Sequence, residues 1–531
     1  MMKRRLGIWA LASVTLACGD DRDEATGGSG DGTAGEATDG TSTDTTTGPT
    51  TTTAGTSQGD GSGDASNTSA GTTGVATGTE GLDGSSDDGS TGASSHATSG
   101  TSEDDTMGLS AGSTSSDDET GGNQTCPGGG GFEILSFSYI WVANSTQGTV
   151  SKIDTVTATE QGRYLVGDYA GQTLSTCQGP SRTSVNLEGD VAVLDRSGGL
   201  AKIIADPNAC PDLNGNGVID TASDANFLDW QTDECLAWQI PVPKDDGGGC
   251  GGPRAVQWTA PTTDANCVTE DPRVWISFCN ENDNDVTIWL VNGTDGSVEE
   301  TYAVPNYNCA TYGPYGGAVD EHNNFWFVDR SAGQALYRVE YGCSPLAPGD
   351  CVQAHARPAG LDAYGITIDP QGRLWMAGGN NSVFNYDPAL DVWTSLKPEL
   401  DAYFQNDAPA DANANNTLRG LMIDEDGVMW IASIANGAWN GGNNPGLLRI
   451  DPEAVPIEID FYGPNTLTGI AHAAGVSIDV EGYVWLVDTL GNQAFKIDPV
   501  APNSFDVVGG LQHPYTYSDM TGFALQQIIP Q

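Results

Sequence analysis

The stretch from residue 139 onward repeats itself, and the repeat constrains the fold more than any other feature of the chain. Four copies are plain: Gly317-Ala-Val-Asp320 with Asn324-Phe-Trp326, Gly365-Ile-Thr-Ile-Asp369 with Arg373-Leu-Trp375, Gly420-Leu-Met-Ile-Asp424 with Val428-Met-Trp430, and Gly475-Val-Ser-Ile-Asp479 with Tyr483-Val-Trp485. Each is a short apolar run, a turn ending in Gly or Asn, and a second apolar run carrying Trp. Self-similarity at a period of roughly 45–60 residues marks a stacked or radial array, because a single unit cannot bury its own apolar face.

After each Trp run comes a third run (Leu336-Tyr-Arg-Val339, Val383-Phe-Asn-Tyr386, Leu447-Leu-Arg-Ile450, Ala494-Phe-Lys-Ile497) and then a fourth, such as Ile457-Glu-Ile-Asp-Phe461. Four short strands joined by tight turns make one blade of a β-propeller. Two degenerate copies lie upstream, one built on Val185, Asp190–Leu194 and Leu200–Ile204, the other on Ala255–Trp258, Arg273–Ile276, Val286–Leu290 and Val298–Val304. The seventh is split. Tyr139–Val142, Val150–Ile153 and Tyr164–Val166 lack a first strand, and Gly522-Phe-Ala-Leu525 reads as a first strand with nothing after it. Joining the two ends would close the ring and remove its open edges. The fold expected is all-β, a seven-bladed β-propeller with split-blade closure; two packed β-sandwiches would leave the complementary ends unexplained.

The pattern Gly-φ-x-φ-Asp-x-x-Gly-x-φ-Trp, as in Gly365 to Trp375 and Gly475 to Trp485, resembles the bacterial propellers of the streptogramin (virginiamycin B) lyase and NHL-repeat group. The likeness covers four blades well and three loosely, and it specifies a scaffold far more than a chemistry. The lyases of that group use a pair of histidines, a nearby glutamate and magnesium to eliminate across an ester. This chain has five histidines. His96 falls in low-complexity sequence, His322 in a turn, His355 in a fourth strand and His513 in a late loop. Only His472 approaches a first strand, so no pair carries over and no catalytic residue is assigned.

Residues 1–18 read as a secretory signal: Lys3-Arg4-Arg5, an apolar run from Leu6 to Ala17, then Cys18. Small Ala17 before Cys18 resembles a bacterial lipoprotein processing site, with Thr15 departing from the usual Leu; lipidation at Cys18 would be the only tie to a membrane. Residues 19–125 are Gly, Ser, Thr and Asp with Arg22 as the single basic residue. Such a segment cannot bury enough surface to offset its ordering entropy and reads as a disordered tether. The chain as a whole carries a net charge of -51, which repels phosphate backbones and argues against a nucleic-acid partner. Setting Cys18 aside, the cysteines of the 126–531 domain are Cys126, Cys177, Cys210, Cys235, Cys250, Cys267, Cys279, Cys309, Cys343 and Cys351. An even set behind an export signal reads as disulfides, with Cys343–Cys351 and Cys210–Cys235 as the two pairings that spacing suggests. The localisation expected is exported: a cell-envelope lipoprotein at the outer membrane or cell surface, or a secreted protein.

In a propeller the first strands line the central channel, so the residue before each one sits near a channel mouth. Those positions hold Arg182, Arg254, Tyr315, Tyr364, Arg419, Ala474 and Thr521. Arginine offers a planar fork of donors and tyrosine a ring and a hydroxyl. Arg182, Arg254, Tyr315, Tyr364 and Arg419 therefore form a candidate site for a small polar or anionic ligand or a protein partner, unless they only hold blades together. The insertion 206–237 contains Asp212-Leu-Asn214-Gly-Asn216-Gly-Val218-Ile-Asp220, which matches the start of a calcium loop. Asp212, Asn214, Asn216, Val218 (through its carbonyl), Asp220 and the displaced Asp224 are the candidate ligands for a structural calcium; the alternative is a loop of Asx turns. Six of the 13 tryptophans, Trp141, Trp275, Trp326, Trp375, Trp430 and Trp485, occupy the second-strand position and should pack between blades, and Trp439 is the exposed candidate. The reading is a tethered extracytoplasmic binding module; the alternative is a lyase- or hydrolase-type enzyme, streptogramin-lyase-like or lactonase-like, at the channel mouth.

Overall fold

The computed structural model describes residues 138–529 except 244–251, 264–268, 281–284, 308, 310–311, 331–334, 345–349 and 436–443. The signal segment, Cys18, the tether, His96, Cys126, Cys250, Cys267 and Trp439 lie outside the described residues.

Seven radial sheets follow one another along the chain, each with its strands hydrogen-bonded in chain order. Their innermost strands are Pro180–Val185, Ala255–Trp258, Pro314–Val319, Gly365–Ile368, Asn416–Ile423 and Ala473–Ile478, with the first blade beginning at Tyr139–Asn144. The protein is a seven-bladed β-propeller.

The repeated motif has a direct physical reading. Its Asp accepts the indole Nε1–H of the Trp six residues later: Asp320 from Trp326 at 2.8 Å, Asp369 from Trp375 at 2.8 Å, Asp424 from Trp430 at 3.0 Å and Asp479 from Trp485 at 2.8 Å. The other carboxylate oxygen takes backbone amides across the turn, as Asp369 does from Gln371 and Arg373. The turn needs a left-handed residue, and Gly372 (φ 79°) and Gly482 (φ 82°) supply it. A basic residue lies over the ring, such as Arg373 at 5.5 Å from Trp375 and Arg338 at 5.8 Å from Trp326. In the first and third blades the indole reaches the next blade instead, Trp141 to the carbonyl of Gly189 and Trp275 to that of Asn323, both at 3.0 Å. All six repeat tryptophans are buried, as expected.

The ends of the domain do complete one blade, but not through the segment expected. Trp141 N donates to Met520 O (2.9 Å), Tyr515 N to Ala143 O (3.0 Å), and Ala143 N to Thr516 Oγ1 (2.8 Å). The segment 514–520, irregular apart from an isolated bridge between Pro514 and Asn144, thus takes the place of the missing inner strand. Its other flanks are fixed to both neighbours: Thr183 N donates to Ser518 Oγ (3.0 Å) and Thr521 Oγ1 to Ile478 O (2.6 Å). The Gly522–Leu525 run read from sequence as that strand is instead the start of a short helix, Phe523–Gln527. Gly522 at φ 82° reverses the chain, and Asp519 accepts the amides of Thr521 and Gly522 just ahead of the helix. Phe523 accordingly does not share a sheet with Trp141; it belongs to the same apolar cluster as Val476 and Ile478, while Leu525 and Ile528 cluster with Trp258, Ala318, Val319 and Ile368. Those partners lie at the C-terminal ends of the inner strands, so the helix covers that end of the channel.

Cys210–Cys235 and Cys343–Cys351 are bonded as the spacing suggested, and Cys279–Cys309 forms a further bridge. Cys177 is also disulfide-bonded. These bonds fit an oxidising, extracytoplasmic compartment. Among the described residues no helix is long and apolar enough to cross a membrane.

Candidate functional site

Pairing across each blade fixes which side chains reach the N-terminal mouth of the channel. Gln257, Ala318, Thr367, Met422 and Ser477 lie opposite the repeat tryptophans. Three residues earlier on each inner strand stand Arg254, Tyr315, Tyr364, Arg419 and Ala474. In the second blade Ser184 lies opposite Ala192, and the corresponding residue is Ser181. Arg182 is thus one residue further in, where the neighbouring inner strands carry Ala255, Gly316, Gly365, Gly420 and Gly475. The glycines leave no room for side chains: a Cβ on Gly365 would lie 2.4 Å from Arg419 O. Arg182 is the one long side chain in that layer, and it reaches across the mouth, donating from Nη2 to Tyr315 O at 3.2 Å and from Nη1 to Ser181 O at 2.9 Å.

All five predicted mouth residues converge, around tyrosines that sequence reasoning missed. The Arg182 guanidinium lies 3.1 Å from the Tyr517 ring centre and 5.1 Å from that of Tyr315. Arg254 stands 4.8 Å from Tyr315, and Arg419 5.2 Å from Tyr364. Arg330 and Arg196 add to the cluster over Tyr364 and Tyr515, and the hydroxyls of Tyr364 and Tyr515 are hydrogen-bonded. Arg182, Arg254, Arg419, Tyr315 and Tyr364 are each no more than 1 % exposed. They form an interlocked plug beneath the surface. Thr521, read as the seventh mouth residue, lies at the opposite end beside Ile478, and Tyr517 takes its place. Burial pulls the Arg182 pKa down to about 9; Tyr315 opposes the shift and Arg254 adds to it.

Two histidines come within electrostatic range of each other near Arg419. His472 precedes the inner strand Ala473–Ile478 and is buried, with its backbone N–H on Asp488 Oδ1 at 2.7 Å. Burial, then Arg419, then His513 hold its pKa well below the usual imidazole value. His513, read from sequence as a remote loop residue, is therefore within electrostatic range of His472. His322 is in an exposed turn and His355 ends an outer strand.

The insertion folds as a compact acidic loop. Asp212 accepts the amides of Gly215, Asn216 and Gly217, and the side-chain amides of Asn214 and Asn216 both reach Asp220 Oδ2, at 2.7 and 2.9 Å. Buried Glu234 braces the loop from behind through the amides of Leu213, Asn214 and Asp220. Asp224 instead closes its own turn on Asn226, apart from the other four side chains, and Val218 is exposed. The Asn214 and Asn216 side chains thus face Asp220 with their amide nitrogens, while their oxygens accept the backbone amides of Asn216 and Val218, the arrangement of Asx turns given as the alternative. Among the described residues no cluster of three or more His, Cys, Asp or Glu side chains is arranged for a metal.

No family profile matches the chain, and neither does any curated protein. Solved structures similar to it include a streptogramin B lyase (15 % identity, TM-score 0.39, covering 64 % of this chain and 86 % of that one). A virginiamycin B lyase from Staphylococcus aureus is similar to the same degree (16 %, 0.38, 63 % and 85 %), as is a periplasmic gluconolactonase from Pseudomonas aeruginosa (13 %, 0.44, 72 % and 98 %). The scaffold itself is established by the strand pairing.

Proposed function

We propose that this protein is an exported recognition module: a propeller held on a tether, lipidated at Cys18, that binds a small polar or anionic group at the Arg–Tyr mouth. One observation carries the reading. In a chain with only 20 Lys and Arg against 71 Asp and Glu, Arg182, Arg254 and Arg419 are gathered with four tyrosines at one end of one channel. A structural plug could be made of Leu and Phe; buried guanidinium groups cost desolvation that apolar residues avoid. The test is a thermal-shift screen of the full-length protein against neutral saccharides and small anions, repeated with Arg419→Lys. The reading requires at least one probe that raises Tm and loses most of that effect in the variant. A screen in which every shift is the same in both proteins refutes it.

The loop at Asp212, Asn214, Asn216 and Asp220 would hold a structural calcium, with modest affinity because two of its ligands are neutral amides. Calcium would fix a loop already braced by Glu234 and the Cys210–Cys235 bridge. Calorimetric titration should show one site lost in Asp212→Ala; no heat at millimolar calcium ends this assignment.

His472 and His513, within electrostatic range of each other, motivate a second reading, proton transfer in an elimination or hydrolysis at the same mouth. His472 is only 1 % exposed, which weighs against it. Turnover of an ester or lactone abolished by His513→Ala would establish it.

A further inference from the structure

The mouth plug has a local imbalance on one side. Arg182 is 1 % exposed and Ser181 fully buried, and two guanidinium nitrogens of Arg182 are spent on carbonyls, Ser181 O and Tyr315 O. Three polar atoms there have no hydrogen-bond partner: Arg182 Nε, Ser181 Oγ and Tyr517 Oη. They belong to two adjacent inner strands, tied together by Ser518 Oγ donating to Thr183 O at 2.6 Å. Tyr517 is itself only 5 % exposed, and its ring carries the Arg182 guanidinium. The groups that bear most strongly on Arg182 are Tyr315, the like-charged Arg254, Tyr515 and Tyr364. A buried guanidinium stacked among tyrosines and beside a second arginine, with two unsatisfied hydroxyls at hand, is an arrangement that folding alone does not favour.

We infer that Arg182 Nε, Tyr517 Oη and Ser181 Oγ form a site for a single carboxylate group, which rests on the mouth being a recognition site and names the class of ligand it takes. One guanidinium N–H and two hydroxyls are three donors, matching the acceptor oxygens of one carboxylate. Arg182 and Ser181 are no more than 1 % exposed, so the carboxylate is the terminal group of its ligand or a small acid by itself.

The experiment measures acetate binding to the full-length protein at constant ionic strength, exchanging chloride for acetate, with acetamide as the neutral isostere. Thermal shift and the near-ultraviolet dichroism of the tyrosines are the readouts. Acetate should bind saturably and acetamide should have no effect. Tyr517→Phe and Ser181→Ala, which delete unpaired hydroxyls with little change in volume and so keep the fold, should each weaken acetate by about tenfold. Arg182→Met should abolish binding. Equal effects of acetate and acetamide, or full acetate affinity in both hydroxyl variants, would overturn the inference. Inorganic phosphate binding more tightly than acetate would overturn the carboxylate assignment. Should acetate fail while another probe still shows an Arg419-dependent shift, the carboxylate site falls and the recognition module stands.

Discussion

Replacing Gly475 by Ala should break the ring at its seam. The inner strand Ala473–Ile478 lies against the closing segment 514–520 so closely that a Cβ on Gly475 would sit 1.7 Å from Thr516 O, 2.7 Å from Thr516 C and 3.0 Å from Tyr517 Cα. All three are backbone atoms, so no rotamer change relieves the clash; one strand must move by more than an ångström. The closing strand is pinned on its other side by Trp141 N on Met520 O and by Thr183 on Ser518. Overpacking of this kind costs ~1–3 kcal/mol where side chains can adjust, and a rigid backbone neighbour places this case at about 3 kcal/mol or above. The control is Gly509→Ala on an outer strand, where a new Cβ meets nothing within 4 Å; it should change stability by no more than ~0.5 kcal/mol. Urea unfolding followed by tryptophan fluorescence gives both values. If Gly475→Ala has the midpoint of the wild type, the chain does not close where the hydrogen bonds place it.

Three further outcomes follow from named contacts. Burial raises the Asp519 carboxyl to about 7 against the amides that it accepts, so between its ordinary value and about 7 the native state holds a proton that the unfolded chain has released. Stability from this group therefore falls as pH rises through that window, by up to ~1.4 kcal/mol per unit; Asp519→Asn should flatten the dependence, and an unchanged slope would contradict the assignment. Asp369→Ala leaves the buried Trp375 indole N–H unpaired and strips two turn amides and Arg373 of their acceptor, which should cost about 3 kcal/mol in chemical denaturation. Replacing Cys210 and Cys235 by Ser opens a loop of 25-residue separation and should lower stability by roughly 3 kcal/mol on chain-entropy grounds, seen as a lower thermal midpoint.

The blades were legible because the motif is local. Asp, Gly and Trp fall within eleven residues, and the hydrogen bonds among Asp369, Gln371, Arg373 and Trp375 stay inside one hairpin. The mouth residues Arg254, Tyr315, Tyr364 and Arg419 were legible by counting back from the same motif. Their burial was not, because it depends on Tyr515 and Tyr517 arriving from the far end of the chain. The period-two spacing of Tyr515, Thr516 and Tyr517 was the available strand signal, but the apolar run Phe523-Ala-Leu525 reads more strongly as β. What decides for a helix there is Asp519 at its start and the turn at Gly522, a cap that sits ahead of the run and is easily read as loop. His513 was missed for the same reason: its proximity to His472 depends on where the closing strand enters the ring.

The most direct test of the ring is amide hydrogen exchange across Tyr139–Asn144 in the full-length protein and in one truncated after residue 513. Trp141 N–H on Met520 O and Ala143 N–H on Thr516 Oγ1 should make this strand exchange as slowly as the inner strands of the complete blades, with that protection lost on truncation. Fast exchange of Trp141 and Ala143 in the intact chain, or protection that survives removal of residues 514–531, would contradict the closure on which the mouth and its arginines depend.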